Sequence, residues 1–134
     1  MSTAPTTYWD DLVEDLQDPE FLRAYLTESL RVETVDRLVN DLDDARMALG
    51  LSKAELARAI SAEPAVIRRL LSPGHRNPTI GTVAEVAAAL GLRVALVPMA
   101  DDERERVAET LRSGTAKEPE KLAREIDGKR PVGV

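Results

Sequence analysis

The sequence predicts a mostly α-helical protein with one short strand in its C-terminal half and a flexible tail. Apolar residues recur at intervals of three and four along most of the chain, which is the spacing of helices with one buried face. The chain contains one Phe, two Tyr and one Trp, so its core must be built from Leu, Val, Ile and Ala, a composition that favours helices over a β-sandwich. A length of 134 residues fits one compact domain with extensions and excludes a large multidomain enzyme.

Three parts follow one another along the chain. Residues 1–17 are polar and are predicted to form an N-terminal arm, with order beginning at Tyr8 and Trp9. Residues 18–98 carry the helical patterns and are predicted to form the folded domain. Residues 99–134 are rich in charge and are predicted to form an exposed helix and a flexible tail.

The first helix of the domain is predicted to begin at Pro19. Asp18 is a typical N-cap, and Pro19 and Glu20 suit the first turn of a helix. The apolar pattern then continues until Gly50. Because so long a helix is unusual in a globular protein, a break is expected near residues 31–34.

Three shorter helices are predicted next. Ser52 is expected to cap the first, over residues 53–60, with Glu55 completing a capping box. The second covers residues 64–71, and the third covers residues 79–90. The positions expected to be buried repeat at helical spacing: Leu56, Ala57, Ile60, Ile67, Leu70, Leu71, Ile80, Val83, Val86 or Ala87, and Leu90.

A short strand is predicted over Leu92–Val97, because LRVALV is rich in apolar and β-branched residues and ends at Pro98. A lone strand leaves its backbone donors and acceptors unpaired, so it should pair with its two-fold copy, with another segment such as Thr6–Trp9, or with a partner protein. We favour the two-fold copy and therefore expect a homodimer. The side chains expected at its interface are Leu92, Val94 and Leu96.

Two more helices are predicted after the strand. Asp101 is expected to cap an exposed helix over residues 102–112, and residues 119–127 are expected to form a marginal one. The last residues, GKRPVGV, are expected to be disordered.

The net charge of −6 is distributed unevenly. Residues 1–50 hold four Arg and 12 acidic residues (−8), residues 51–100 hold six basic and three acidic residues (+3), and the remainder holds eight and nine (−1). The total argues against a nucleic-acid partner, whereas the basic middle favours one. This asymmetry suggests two different partners for two surfaces.

Composition excludes several classes of function. The chain has no Cys, which excludes disulfides, thiolate zinc sites and Cys nucleophiles, and its single His removes most His-based metal and acid-base schemes. No Gly-rich phosphate loop or activated nucleophile is present, so neither an enzyme nor a cofactor is expected. The N-terminus lacks the pattern of a signal peptide, and the apolar stretch over residues 86–100 is interrupted, so we expect a cytoplasmic protein with no membrane partner.

Residues 52–72 have the spacing of a helix-turn-helix. Two short helices are joined by a short turn, and the small residue Ala57 stands at the fifth position counted from Lys53, where the helices must cross closely. Residues 49–92 resemble the Cro/C1-type (XRE) helix-turn-helix family. Three segments carry the resemblance: LSKAELARAI, the RRL of the second helix and NPTIGTVAEVAAALGL. The resemblance implies that the protein binds double-stranded DNA, with dimers on an operator palindrome.

The residues expected to meet DNA lie in and around this helix pair. By the resemblance, Lys53 matches a position that contacts the DNA backbone, and Arg76 and Asn77, in the loop after the second helix, match another phosphate contact. Arg68 and Arg69 lie one turn into the second helix and are expected to reach a base or the backbone.

The chain departs from the family pattern at two places. The turn position commonly held by Gly is Ser61, although glycine is the residue that most easily adopts a positive φ. At the start of the second helix, the usual small polar residues are replaced by Glu63, Pro64, Ala65 and Val66. Ala65 and Val66 are expected to contact a thymine methyl group. Glu63 should repel phosphate, unless its carboxylate accepts a hydrogen bond from the amino group of a cytosine.

In residues 16–97, a DPEFLRAYL helix precedes the helix pair and a predicted strand follows it. This order of elements is similar to that of the HigA-type antitoxins of bacterial type II toxin-antitoxin modules. That similarity implies neutralisation of a RelE/HigB-type ribonuclease toxin and repression of the protein's own operon. The acidic N-terminal segment is expected to contact the toxin, with Trp9, Phe21 and Tyr25 as apolar anchors. A stand-alone XRE-type regulator and an interaction adaptor that no longer binds DNA are the alternatives.

Overall fold

A computed structural model describes residues 7–72 and 77–128. These residues are mostly helical, which confirms the mostly α part of the predicted fold class. The described residues contain no strand, so the strand predicted over residues 92–97 is not formed within the single chain, where no other strand is present to pair with it. The helices are α1 (Thr7–Asp15), α2 (Pro19–Ala48), α3 (Lys53–Ala59), α4 (Pro64–Leu71), α5 (Ile80–Ala89), α6 (Asp101–Arg104), α7 (Thr110–Ser113) and α8 (Pro119–Gly128). Arg76, residues 1–6 of the expected arm and residues 129–134 of the expected tail lie outside the described residues.

The chain forms two compact units. The first combines residues up to 30 with those from 98 onwards, and the second contains residues 31–97. Sequence reasoning expected boundaries after residues 17 and 98, which stays a prediction. In the first unit, apolar side chains of α1 and of the start of α2 share a core with those of α8.

Helix α2 is continuous, so the expected break near residues 31–34 is wrong. No Gly or Pro follows Pro19 until Gly50, and the backbone therefore meets nothing that would end the helix. An ion pair four residues apart, with Arg37 Nη2 3.2 Å from Glu33 Oε2, joins consecutive turns at the place where the break was expected. Helix α2 thus contributes its first part to one unit and its second part to the other.

The core of the second unit is formed by the helices that the apolar periodicity predicted. Its buried residues come from α2 to α5 and the residue that follows α5: Leu42, Leu56, Ala57, Ile67, Leu70, Leu71, Val83, Val86, Ala87 and Leu90. One position was assigned wrongly, since Ile80 is 78% exposed as the first residue of α5. A side chain in the first turn extends toward the helix N-terminus, beyond the part of α5 that packs on the core.

The first unit has a smaller core. Its buried members are Leu12, Leu16, Leu22, Leu26, Leu122 and Ala123. Residues 7–15, expected to belong to a polar arm, form α1, because Leu12 and Leu16 lie four residues apart and bury together. Trp9 and Tyr25 pack against this core and are half-buried.

Residues 101–113 are helical with an internal irregularity. A π-helical turn, Glu105–Glu109, separates α6 from α7. Asp101 was expected to be the N-cap, but the cap is Ala100, with no side-chain hydrogen bond, and Asp101 is the first helical residue. Val107 and Thr110 are buried, so this segment, expected to be exposed, contributes to packing in the first unit.

Within residues 7–72 and 77–128, no helix combines the length and the apolar composition that crossing a bilayer requires.

Candidate nucleic-acid interface

Helix α3 begins with a complete capping box, as the sequence predicted. The Ser52 hydroxyl accepts from the Glu55 amide at 3.0 Å, and the Glu55 carboxylate accepts from the Ser52 amide at 2.8 Å. The hydrogen bond from the Ser52 amide favours the charged carboxylate and, with a smaller contribution from the Ser52 side chain, holds the pKa of Glu55 below its ordinary value. The start of α3 is therefore defined by two residues that satisfy amides the helix cannot satisfy itself.

A second contact orders the chain just before α3. Arg46, near the end of α2, donates from Nη1 to the carbonyl oxygen of Leu51 at 2.7 Å. Its Nε lies 2.9 Å from Asp43 Oδ1, one turn back along the same helix. The half-buried Arg46 thus ties the α2–α3 connection to α2 and fixes where α3 starts.

The turn between α3 and α4 is a left-handed helix end. Ser61 has φ +56°, and it is the one non-glycine residue with positive φ in the described part of the chain. The Ala62 amide donates to the Ala57 carbonyl at 2.9 Å, and the Ser61 amide donates to the Arg58 carbonyl at 3.1 Å. This is the hydrogen-bond pattern of a Schellman motif, which usually places Gly at the position that Ser61 occupies here.

Helix α2 and helix α5 end in the same way, but with glycine. Gly50 has φ +72° and Gly91 has φ +78°. In each case the next amide reaches a carbonyl five residues back, Leu51 to Arg46 at 3.2 Å and Leu92 to Ala87 at 2.7 Å. Ser61 adopts the same positive φ without the conformational freedom of glycine, so the turn keeps its usual form and its backbone is strained.

Helix α4 separates apolar and charged residues onto different sides. Pro64 occupies its first turn, and Glu63 is its N-cap without a side-chain hydrogen bond. Its buried residues, Ile67, Leu70 and Leu71, face the core of the second unit. The two arginines expected to reach DNA, Arg68 and Arg69, are exposed.

The other residues expected to meet DNA differ in accessibility. Glu63 and Asn77 are exposed, whereas Lys53, Ala65 and Val66 are half-buried. All five lie in the second unit, whose residues 51–97 hold six basic and three acidic side chains. Five of the unit's eight acidic residues lie within residues 31–48, on α2. In the second unit, most of the acidic residues therefore lie on α2, whereas the elements that follow α2 carry a net positive charge.

Sequence reasoning missed Arg31. Its Nη1 donates to Asn77 Oδ1 at 3.1 Å, so an arginine of α2 joins the end of the loop that follows α4. No local pattern indicates this contact, because the two residues are 46 positions apart. The contact adds an exposed guanidinium to a place already expected to lie near phosphate.

The residues expected to bind a protein partner lie in the first unit. Phe21 is 37% exposed and stacks on Tyr25, with ring centroids 5.9 Å apart. The Tyr25 hydroxyl donates to Asp127 at 2.7 Å, and the half-buried Trp9 lies beneath Arg124, whose Cζ is 6.0 Å from the ring centroid. Phe21 is therefore the most accessible of the three expected anchors, while Trp9 and Tyr25 also serve the fold.

The described part of the chain contains no group of three or more His, Cys, Asp or Glu side chains arranged to hold a metal ion. Comparisons with protein-family models, with curated proteins and with solved structures find no match to this chain.

Proposed function

We propose that this protein is a DNA-binding transcriptional repressor that uses α3 and α4 as a helix-turn-helix, with α4 in the major groove. The observation that supports this best is the division of α4 into a buried apolar stripe and the exposed pair Arg68 and Arg69. An arginine pair at this place can donate to guanine edges or to backbone phosphates. Since α4 is held by the core along its apolar stripe, its arginines are presented on a rigid element.

Contacts to phosphate would come from the margins of α4. Lys53 stands at the start of α3, and Asn77 and Arg31 meet at the end of the loop after α4. Such contacts set the register of a protein on the duplex and carry no sequence information themselves. Base reading then rests on Arg68 and Arg69, because the half-buried Ala65 and Val66 offer only short apolar side chains to a thymine methyl.

The experiment is a binding titration against the DNA upstream of the protein's own gene. Replacing both Arg68 and Arg69 with Ala should weaken binding strongly, since one good base contact contributes about 1–3 kcal/mol. A matched control replaces Arg104 and Arg112 with Ala, because both are exposed in the first unit and their loss changes net charge equally. Equal affinity for the two folded double variants would contradict the docking of α4.

Glu63 provides a second test of the same orientation. It is exposed at the N-terminus of α4 and would lie close to phosphate. Glu63→Gln should tighten binding by removing a negative charge from the interface. Weaker binding by this variant would instead show that Glu63 accepts a hydrogen bond from a base.

We propose further that the first unit binds a basic protein partner and that the protein is an antitoxin of the HigA kind, as its resemblance implies. The supporting observation is the pair of exposed aromatic side chains Tyr8 and Phe21, 58% and 37% exposed, in the strongly acidic segment formed by α1 and the start of α2. A ribonuclease toxin is basic where it holds RNA, so an acidic surface with aromatic anchors would cover that site.

Point substitutions test the partner surface better than truncation, because residues 12–26 belong to the core of the first unit. Tyr8→Lys with Phe21→Lys should abolish neutralisation of a neighbouring toxin gene in a growth assay. Met47→Lys, at a 56% exposed position in the second unit, is the control. Full neutralisation by the double variant would contradict this surface. A stand-alone regulator would lack such a neighbouring gene, and an interaction adaptor would not shift DNA at all.

A further inference from the structure

A cavity lies in the first unit, beside the π-helical turn Glu105–Glu109. Glu105 and Arg106 of that turn line part of the cavity, and Thr110 lines it together with residues around the start of α8. π-Helical turns are rare and occur frequently at functional sites. The cavity and the irregular turn thus meet in one place.

The volume of the cavity limits what it could hold. It measures about 220 Å³, below the range of about 300–1,000 Å³ in which pockets hold drug-sized ligands. Its apolar lining comes from Ala116 and from Leu122, which also belongs to the core of the first unit. A ligand of this cavity is therefore a small molecule.

Thr110 brings a polar group to the cavity. It is the one buried polar residue in the described part of the chain, with 6% of its surface exposed. Its hydroxyl forms no hydrogen bond with any other group among those residues. A buried hydroxyl without a partner costs free energy, which a polar group inside the cavity would recover. The hydroxyl can serve such a group either as donor or as acceptor.

The lining also carries charges of both signs, arranged as opposite pairs. Lys117 Nζ lies 3.2 Å from Glu105 Oε2, and Lys121 Nζ lies 3.8 Å from Glu118 Oε1. All four side chains are more than half exposed, so these pairs contribute little stability and can open to a ligand. An anion would be repelled by the two glutamates, and a cation by the two lysines. A molecule with one charge of each sign is complementary to both.

Arg106 has a different place in the cavity wall. Its Nε lies 3.1 Å from Glu125 Oε1, and its Nη1 lies 3.4 Å from Asp102 Oδ2. Two carboxylates thus already neutralise this guanidinium, which joins the π-helical turn to α8. The lysines are therefore better placed than Arg106 to bind a ligand carboxylate.

We propose that this cavity binds a free α-amino acid with a short side chain that ends in a hydroxyl or an amide. Such a molecule is small, and at neutral pH it carries one carboxylate and one ammonium group. Lys117 and Lys121 supply the cations for the carboxylate, and Glu105 and Glu118 supply the anions for the ammonium group. Thr110 hydrogen-bonds the polar end of the side chain. This site depends neither on DNA binding nor on a protein partner.

Isothermal titration calorimetry on the full chain tests the class of ligand, with L-serine, L-threonine, L-asparagine and L-glutamine as the probes. At least one should bind with a Kd in the millimolar range or below. Its N-acetyl and carboxamide derivatives each lack one charge and should bind at least about tenfold more weakly, because each leaves charged side chains without a partner. Binding by none of the four amino acids, or equal binding by either derivative, would overturn the proposal.

Variants of the lining test the place of binding. Thr110→Val removes the hydroxyl without a change in charge and should weaken binding about tenfold, whereas Thr110→Ser keeps the hydroxyl and should bind normally. Trp9 packs against the core of the first unit, so its fluorescence shows that each variant is folded. Native affinity in folded Thr110→Val would overturn the assignment of this cavity.

A double variant tests the charges in the same way. Glu105→Gln with Lys117→Gln leaves the net charge unchanged and should also weaken binding about tenfold. Glu33→Gln with Arg37→Gln is the matched control, because it removes an ion pair of α2 in the second unit and should leave the Kd unchanged. Equal affinity of the two double variants would overturn the role of the charged lining.

Discussion

The guanidinium of Arg31 and the side-chain amide of Asn77 are joined by a hydrogen bond of 3.1 Å from Nη1 to Oδ1. Both residues belong to the second unit and both are exposed. The bond connects Asn77, at the end of the loop after α4, directly to α2. It also brings a cation of α2 to the same place.

Arg31→Ala should therefore weaken DNA binding about tenfold and reduce the slope of log affinity against log salt by about 0.9, the value for one phosphate contact. Arg37→Ala is the control, because Arg37 lies on the same helix and pairs with Glu33. Fluorescence anisotropy at several salt concentrations measures both quantities. Equal slopes for the native protein and Arg31→Ala would exclude Arg31 from the interface.

Ser61→Gly should stabilise the protein by about 0.5–1 kcal/mol. Ser61 has φ +56°, where an L-residue is strained and glycine is not, and this gain exceeds the entropy that glycine adds to the unfolded chain. Urea unfolding measures the change. Ala62→Gly, one residue further and without positive φ, should destabilise instead, and a stabilising effect there would assign the gain to a cause other than the conformation of Ser61.

The capping box should make stability depend on pH. Because the Ser52 amide and hydroxyl hold the pKa of Glu55 below its ordinary value, its charged form stabilises the folded state above the unfolded pKa. That stabilisation is lost as pH falls through the folded pKa. The difference in unfolding free energy between the native protein and Glu55→Gln should thus be largest near neutral pH and shrink in acid. Glu85→Gln, at an exposed position of α5, is the control for the same change of residue type.

Asp127 should be important for the stability of the first unit. Its carboxylate accepts from the hydroxyls of Tyr8 at 2.5 Å and Tyr25 at 2.7 Å, which connects α8 to α1 and α2. Asp127→Ala should cost about 1.5–3 kcal/mol, the range for hydrogen bonds to a charged group. The single tryptophan, Trp9, reports unfolding of this unit by fluorescence.

The two tyrosines should contribute unequally. Tyr25→Phe should cost more than Tyr8→Phe, because the Tyr25 hydrogen bond is partly buried while that of Tyr8 is exposed to water. The comparison uses the same fluorescence-detected unfolding. An equal or reversed order of the two losses would mean that solvent screening does not govern these bonds.

The sequence by itself determined the features that depend on near neighbours. Apolar spacing identified α3, α4 and α5, and Ser52 with Glu55 marked the start of α3 to the residue. Ser61 at a position commonly held by glycine marked the turn between α3 and α4, and the structure showed that the turn keeps its positive φ there. These features follow from contacts within about five residues, where periodicity and capping are sufficient.

Only the tertiary structure decided which distant residues share a core. It joined α1 to α8, kept α2 continuous where a break was expected, exposed Ile80 at the end of an apolar stripe and placed Arg31 beside Asn77. Apolar spacing indicates that one face of a helix is apolar, but it does not indicate which other helix packs on that face. The free energy of burial depends on the area buried and not on the separation of the residues in the sequence. For the same reason, the sequence predicted a strand over residues 92–97, and only the structure showed that these residues form no strand and are exposed in the single chain.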